Sequence, residues 1–300
     1  MDFNKIKEYG NLEMLAKQLV EGFITGLHKS PYHGFSVEFA EHNLYNPGDS
    51  TRHIDWKVFA RTDRLYTKRY EEETNLRAMI VTDVSSSMYY PLQDAGKLNF
   101  SLVAGAAIAY MLQKQRDAVG LCTFHEEIDL MTPVKSTPKH IHNLFLQMQR
   151  LQDAPKNEKK RTNVAEVIHH VAERIHKRSL VVIFSDMMDS DDNLEETFAA
   201  LQHLKHNNHE VLLFHVTDSL TEMAFDFPEK PTIFVDVETG VEEKVQPAQI
   251  RDYYRKQILE RYHQIKLRCG QYKIDFIEAD CRKDVDQVLL PYLIKRRNMR

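Results

Sequence analysis

Apolar residues recur along this chain with two periods, and from residue 77 onward the two alternate. Residues 78–84, 119–124, 180–185, 211–216 and 273–277 are short apolar runs of strand length, continuous enough to be covered on both faces. Between them, residues 98–113, 164–175, 194–204 and 250–267 carry apolar stripes at helical spacing, and 285–293 closes the chain in the same way. Strand and helix in alternation predict an α/β fold with a mostly parallel central sheet and helices on both faces. A turn or hairpin over 231–245 interrupts the last crossover.

The first 77 residues read differently. Leu12, Leu15, Ala16, Leu19, Phe23 and Leu27 fall at steps of three and four, which predicts an amphipathic helix whose partner surface is the main domain. Residues 32–77 are polar, aromatic and turn-rich, with Asn46-Pro-Gly-Asp49 as a turn and alternating stretches such as Ser36-Val-Glu-Phe-Ala. They are expected to form an ordered β-rich extension with the single tryptophan, Trp56, as a core anchor. The division predicted is 1–77 for the helix and extension and 78–300 for the α/β domain.

Composition narrows the functional classes. With 42% apolar residues over 300 positions, the chain can bury a substantial core. Its 40 basic and 44 acidic residues leave a net charge of -4, which argues against nucleic acid or an anionic membrane as the main partner. Three cysteines, Cys122, Cys269 and Cys281, lack metal-ligand spacing, and a reducing compartment with free thiols fits them. No window reaches eighteen uninterrupted apolar residues and the first residues lack a signal-peptide core, so a cytoplasmic location is expected, with no direct membrane insertion.

The chemistry concentrates at two strand ends. The run Met79-Ile-Val-Thr-Asp83-Val-Ser85-Ser-Ser87 is an apolar strand that stops at an aspartate, with hydroxyls two and four residues on. A tight turn there can fold Ser85 and Ser87 back towards Asp83. The run Leu180-Val-Val-Ile-Phe-Ser-Asp186 repeats the design with a second carboxylate. Parallel sheets place ligands beyond the carboxyl ends of their strands where strand order reverses, so neighbouring strands would bring both acids to one crevice. Between them, Thr162 sits in a loop before a helix that Asn163 would cap, with Glu166 completing a capping pair. Two carboxylates and three hydroxyls form a hard, sparsely charged oxygen set suited to Mg2+, with Mn2+ as an alternative.

In that order and on that strand pattern, Asp83-x-Ser85-x-Ser87, Thr162 and Asp186 resemble the metal-ion-dependent adhesion site of von Willebrand factor A domains. The match covers roughly 78–297. Upstream, Gly34-Phe-Ser-Val-Glu-Phe, Tyr45-Asn-Pro-Gly-Asp49, Arg52-His-Ile-Asp-Trp56 and Ala60-Arg61-Thr62 resemble the bacterial domain-of-unknown-function family 58. Its members usually carry such an A domain, and their genes commonly lie beside those of MoxR-type AAA+ ATPases. This chain departs from the family pattern with Asn43 where an arginine is usual, and with Lys160 and Arg161 where glycines often precede the threonine. The resemblance implies hydroxyls that bind the ion directly, aspartates that bind directly or through water, and a partner's acidic side chain as the last ligand.

Competing chemistries fit less well. An aspartyl-phosphate phosphatase would want an acid two residues after Asp83, where Ser85 stands. A serine hydrolase could pair Ser85 or Ser87 with His125, but no glycine-flanked nucleophile elbow surrounds either serine. His203, His206 and His209 read as a solvated helix terminus, Asp189, Asp191 and Asp192 as helix-start acids, and Glu71 to Glu73 as a solvated face. The expectation is therefore a non-enzymatic adaptor that binds partners through Mg2+ and works with a MoxR-type ATPase or its client in protein maturation or complex assembly. A metal-dependent phosphatase or hydrolase, and an assembly protein with a vestigial metal site, are the alternatives.

Overall fold

In a computed structural model of the chain, residues 11–27, 39–44, 56–70, 76–91, 96–153, 164–188, 191–237 and 240–298 are described. The chain divides into two compact units, one formed by the segments up to Gly26 and from Leu76 onward, the other by Leu27–Asn75.

The larger unit is built on one mixed sheet. Its strands are β3 (Arg77–Asp83), β4 (Ala118–Phe124), β5 (Ile128–Met131), β6 (Leu180–Ser185), β7 (Glu210–Thr217) and β10 (Asp275–Asp280), in the spatial order β10-β7-β6-β3-β4-β5. All neighbours are parallel except the edge strand β5, which returns antiparallel beside β4. Because side chains alternate along a strand, the continuous apolar runs supply two separate cores. Ala78, Ile80, Val182 and Phe184 face α1 (Leu12–Leu27), α3 (Gly96–Lys114), α4 (Pro138–Asp153) and α8 (Val285–Asn298). Met79, Val81, Val181 and Ile183 face α5 (Val164–Arg174), α6 (Asp191–His206) and the last turns of α7 (Pro247–Gln271). The helix α3 lies between the sheet and other helices, which explains why nearly every residue from Lys97 to Leu112 is buried and no polar face is reserved for water.

The hairpin expected over 231–245 is present as β8 (Thr232–Val235) paired antiparallel with β9 (Glu242–Val245). Phe234 stacks on Phe225, and Phe225 in turn meets Tyr254 of α7. Two elements escaped the sequence reading. The stripe Ile141, Leu144, Phe145 and Met148 of α4 was legible at helical spacing, whereas β5 is only four residues long, half-exposed and interrupted by Asp129. The last strand starts two residues later than its apolar run, because Lys273 takes a left-handed φ of 55° in the turn that ends α7.

Leu12, Leu15, Ala16, Leu19 and Val20 of α1 are buried in the core of the larger unit, the partner surface expected for this helix, and the helix is grouped with the sheet while the smaller unit is Leu27–Asn75. Within Leu27–Asn75, β1 (Phe39–Leu44) pairs with β2 (Tyr66–Tyr70) as expected of a β-rich segment, but Trp56–Thr62 between them is a helix, α2. Trp56 opens that helix at 62% exposure, touching Phe59 edge-on, and is not a core anchor. The turn at 46–49 and the acids at 71–73 lie outside the described residues. Among the described residues no helix is long and apolar enough to cross a membrane.

These burial differences predict opposite responses to truncation. Phe184 is fully buried and stacks on Phe214 at 4.6 Å between ring centroids. Phe184→Ala is expected to cost about 3–5 kcal/mol, and Trp56→Ala within about 0.5 kcal/mol, both measured by urea unfolding followed by far-UV circular dichroism.

Candidate metal centre

The order of strands in the sheet reverses between β3 and β6. The chain leaves β3 towards β4 on one side and leaves β6 towards β7 on the other, which opens a crevice at their carboxyl ends. Thr82 lies level with Phe184 across this pair, so Asp83 and Asp186, each one or two residues further on, both reach the crevice. The two acids predicted from separate strand ends are thereby brought together, and both are buried, at 0% and 2% exposure.

The turn after β3 is built around Asp83. Its Oδ1 accepts the Ser85 N–H at 2.9 Å, which closes the turn, and a short 3-10 helix over Ser86–Tyr89 follows. The hydroxyls of Ser85 and Ser87 lie 3.1 Å apart, and Ser87 also hydrogen-bonds to Asp186. Thus four of the five predicted ligands share one site. The fifth, Thr162, lies outside the described residues, as do Asn163 and the lysine-rich stretch before it.

Three further side chains were missed from the sequence. Ser185 donates its hydroxyl to Asp83 Oδ2 at 2.9 Å. Lys97, in the first turn of α3, donates from Nζ to Asp186 Oδ2 at 2.6 Å and to Glu222 Oε1 at 2.5 Å while only 1% exposed. Glu222 stands in a single π-type turn, Ser219–Met223, after β7, and its Oε2 accepts the Asp218 N–H at 2.8 Å. The signal for Lys97 was present as a lone charge opening an otherwise apolar helix, next to a glycine. A Cβ on Gly96 would collide with Pro91 and the Tyr90 carbonyl, the same carbonyl that accepts the Lys97 N–H at 3.0 Å.

The electrostatics of the two acids differ. Burial, then the charge of Asp186, push the Asp83 carboxyl up to about 7, against which the Ser85 and Ser185 bonds act only partly. Burial works in the same direction on Asp186, but the charge and hydrogen bond of Lys97, with the bonds from Ser87 and the Met188 amide, bring it below its usual value. Burial raises Glu222, and Lys97 offsets part of that. For Lys97, burial is overcome by its two carboxylate partners, which hold it firmly charged. Among the described residues no three His, Cys, Asp or Glu side chains converge as a metal cage. The donor set is two carboxylates and two hydroxyls, with Asp83 meeting only neutral donors. That chemistry fits a hard divalent cation that keeps several waters.

Other candidates fall outside the crevice. His125 directs Nδ1 at the Glu127 carbonyl (3.2 Å) and at Asp129 (3.3 Å). His203 does not end in solvent alone, since its Nδ1 lies 3.1 Å from that of His169 on α5. His209 is buried and its Nδ1 accepts the Ser179 N–H, so the solvated-terminus expectation is corrected for this residue. The three cysteines are free and buried, and burial pushes each thiol up to about 12.

Comparison with known proteins gives a family and three kinds of relative. Residues 41–264 match the family model described as protein of unknown function DUF58. The uncharacterized proteins Rv1480 of Mycobacterium tuberculosis H37Rv and Mb1516 of Mycobacterium bovis are each 26% identical over 246 residues, covering 81% of this chain and 75% of theirs. Among solved structures, the conserved hypothetical protein BatB from Bacteroides thetaiotaomicron aligns with a TM-score of 0.47 at 11% identity, over 74% of this chain and 99% of that one. An aerotolerance-related membrane protein from Bacteroides fragilis aligns with a TM-score of 0.44 at 13% identity, over 72% of this chain and 97% of that one.

The buried acid pair sets a pH dependence for the metal-free protein. Asp83 loses its proton near 3.8 when unfolded and near 7 when folded. Between those values the folded state binds more protons, so this group makes stability fall as pH rises through the window and leaves the loss complete above it. Chelator-treated Asp83→Asn is expected to gain melting temperature over wild type progressively across that window; a constant difference at every pH would contradict the assignment.

Proposed function

The chain belongs to the DUF58 family of proteins of unknown function, and from that premise we propose that it is a metal-dependent protein-interaction adaptor with a von Willebrand factor A-type domain. Asp83, Ser85, Ser87, Thr162 and Asp186 would hold Mg2+, or Mn2+ in its place. When bound, the ion supplies an electrophilic position that an acidic side chain of a partner protein completes. The carrying observation is that Asp83, fully buried beside Asp186, is hydrogen-bonded by neutral donors, the N–H and hydroxyl of Ser85 and the hydroxyl of Ser185, among the described residues. A buried carboxylate without a cationic partner is costly, and a divalent cation relieves that cost.

The protein's own residues do the positioning. The Ser85 amide and Ser185 hydroxyl fix the two oxygens of Asp83, while the 3-10 turn carries Ser87 back across the crevice to Asp186. Among the described residues no histidine stands ready as a base for either serine, Nδ1 of His125 being engaged with Glu127 and Asp129. The site is accordingly read as one for binding. From the sequence resemblance, the partner class is a MoxR-type AAA+ ATPase or its client in protein maturation or complex assembly. The reading includes a cytoplasmic setting, supported by three cysteines kept as buried free thiols.

The test is capture from bacterial cytosol by wild type and Asp83→Ala, each with Mg2+ and with chelator, reading bound proteins by mass spectrometry. Wild type with Mg2+ is expected to enrich an AAA+ ATPase at least roughly tenfold over the other three lanes, as expected from loss of one charged ligand. Equal recovery in all four lanes would sink the metal-dependent adaptor and move any binding elsewhere on the chain.

A further inference from the structure

The candidate metal centre already contains a cation, tethered to the fold. Lys97 Nζ lies 2.6 Å from Asp186 Oδ2, a charge-assisted bond between two groups at 1% and 2% exposure. The other oxygen of Asp186 accepts the Met188 N–H at 3.2 Å, and Ser87 hydrogen-bonds to the same carboxylate. Asp186 is thus held by protein donors that include a full positive charge, whereas Asp83 is held by neutral ones. The lysine is itself fixed. Its second partner, Glu222, is anchored by the Asp218 N–H, and both oxygens of Asp218 accept from Arg282 Nε at 2.8 and 2.9 Å.

We propose that Lys97 is a resident cation that competes with the divalent ion for Asp186, so that Asp186 serves the ion only as far as Lys97 yields it, while Asp83, Ser85 and Ser87 are the oxygens free of that competition. The inference rests on the metal-centre reading above and deepens it. An ammonium that satisfies Asp186 withdraws the oxygen a divalent ion would otherwise take, and its charge opposes a second cation nearby. Lys97 thereby keeps the centre's affinity low, so that a partner's carboxylate contributes a larger share of the binding.

The discriminating variant is the double substitution Lys97→Met with Glu222→Gln. It removes one positive and one negative charge together, so the net charge of the crevice is unchanged and only the availability of Asp186 differs. Full-length chelator-stripped wild type, Glu222→Gln and the double variant are titrated with Mn2+, free ion being read by electron paramagnetic resonance and folding by metal-free circular dichroism. The double variant is expected to bind Mn2+ roughly tenfold tighter or more, the scale of a freed charged ligand, and Glu222→Gln no tighter than wild type. A gain of affinity is not what structural damage produces. If wild type binds and the double variant gains nothing, the competition is overturned while the metal centre stands. If only the double variant binds, the native metal centre falls and the lysine is shown to stand in the ion's place. If both are folded and neither binds, both ideas fail. Should the methionine variant not fold, Lys97→Leu with Glu222→Gln likewise leaves Asp186 without its ammonium and is read by the same outcomes.

Discussion

Two carboxylates buried at the ends of neighbouring parallel strands repel each other, and the surroundings of the crevice are arranged against that repulsion. Asp186 is neutralised by Lys97, and Asp83 is steadied by an amide and a hydroxyl without being neutralised. The compensation extends well beyond the pair. From Arg282, which follows β10, contacts run to the Asp218 carboxylate, from the Asp218 N–H to Glu222, and through Lys97 to Asp186, crossing the carboxyl ends of β10, β7 and β6 in turn. Each member is satisfied by the next, the condition under which buried ionic groups become tolerable.

The backbone around Asp186 is held with similar care. Met187 takes a left-handed φ of 52°, and its carbonyl accepts from Arg261 of α7 at 2.9 Å. His215 on β7 donates Nε2–H to the Asp186 carbonyl at 3.0 Å. Burial lowers that imidazole to about 4, so it stays neutral and remains a fixed donor near neutrality. The strained residue after Asp186 is thus held from two elements, and the acid's direction into the crevice is set by more than its own side-chain bonds.

Much of this was legible in the residue pattern. The alternation of apolar runs and striped stretches carried the α/β architecture, and two strands ending in aspartate pointed to one crevice before any pairing was known. The Asp-x-Ser-x-Ser turn was equally readable, because an aspartate oxygen closing on the amide two residues ahead is a local interaction. Trp56 shows where such reasoning fails. A lone tryptophan in an aromatic segment suggests a core, yet whether a core exists around it depends on what packs there, and 62% of it is exposed. The packing of α1 was also readable: its stripe announced a buried face, and the core of the main domain buries it as expected.

The sequence by itself determined the periods, the strand ends and the oxygen-rich turn, because each depends on residues a few positions apart. The tertiary structure alone decided that β3 and β6 are neighbours, that their acids face one another, and that a lysine 89 positions from Asp186 and 125 from Glu222 lies between those carboxylates. The reason is physical: burial makes distant charges find partners within hydrogen-bond reach, and no local pattern encodes which of them the folded chain will bring there.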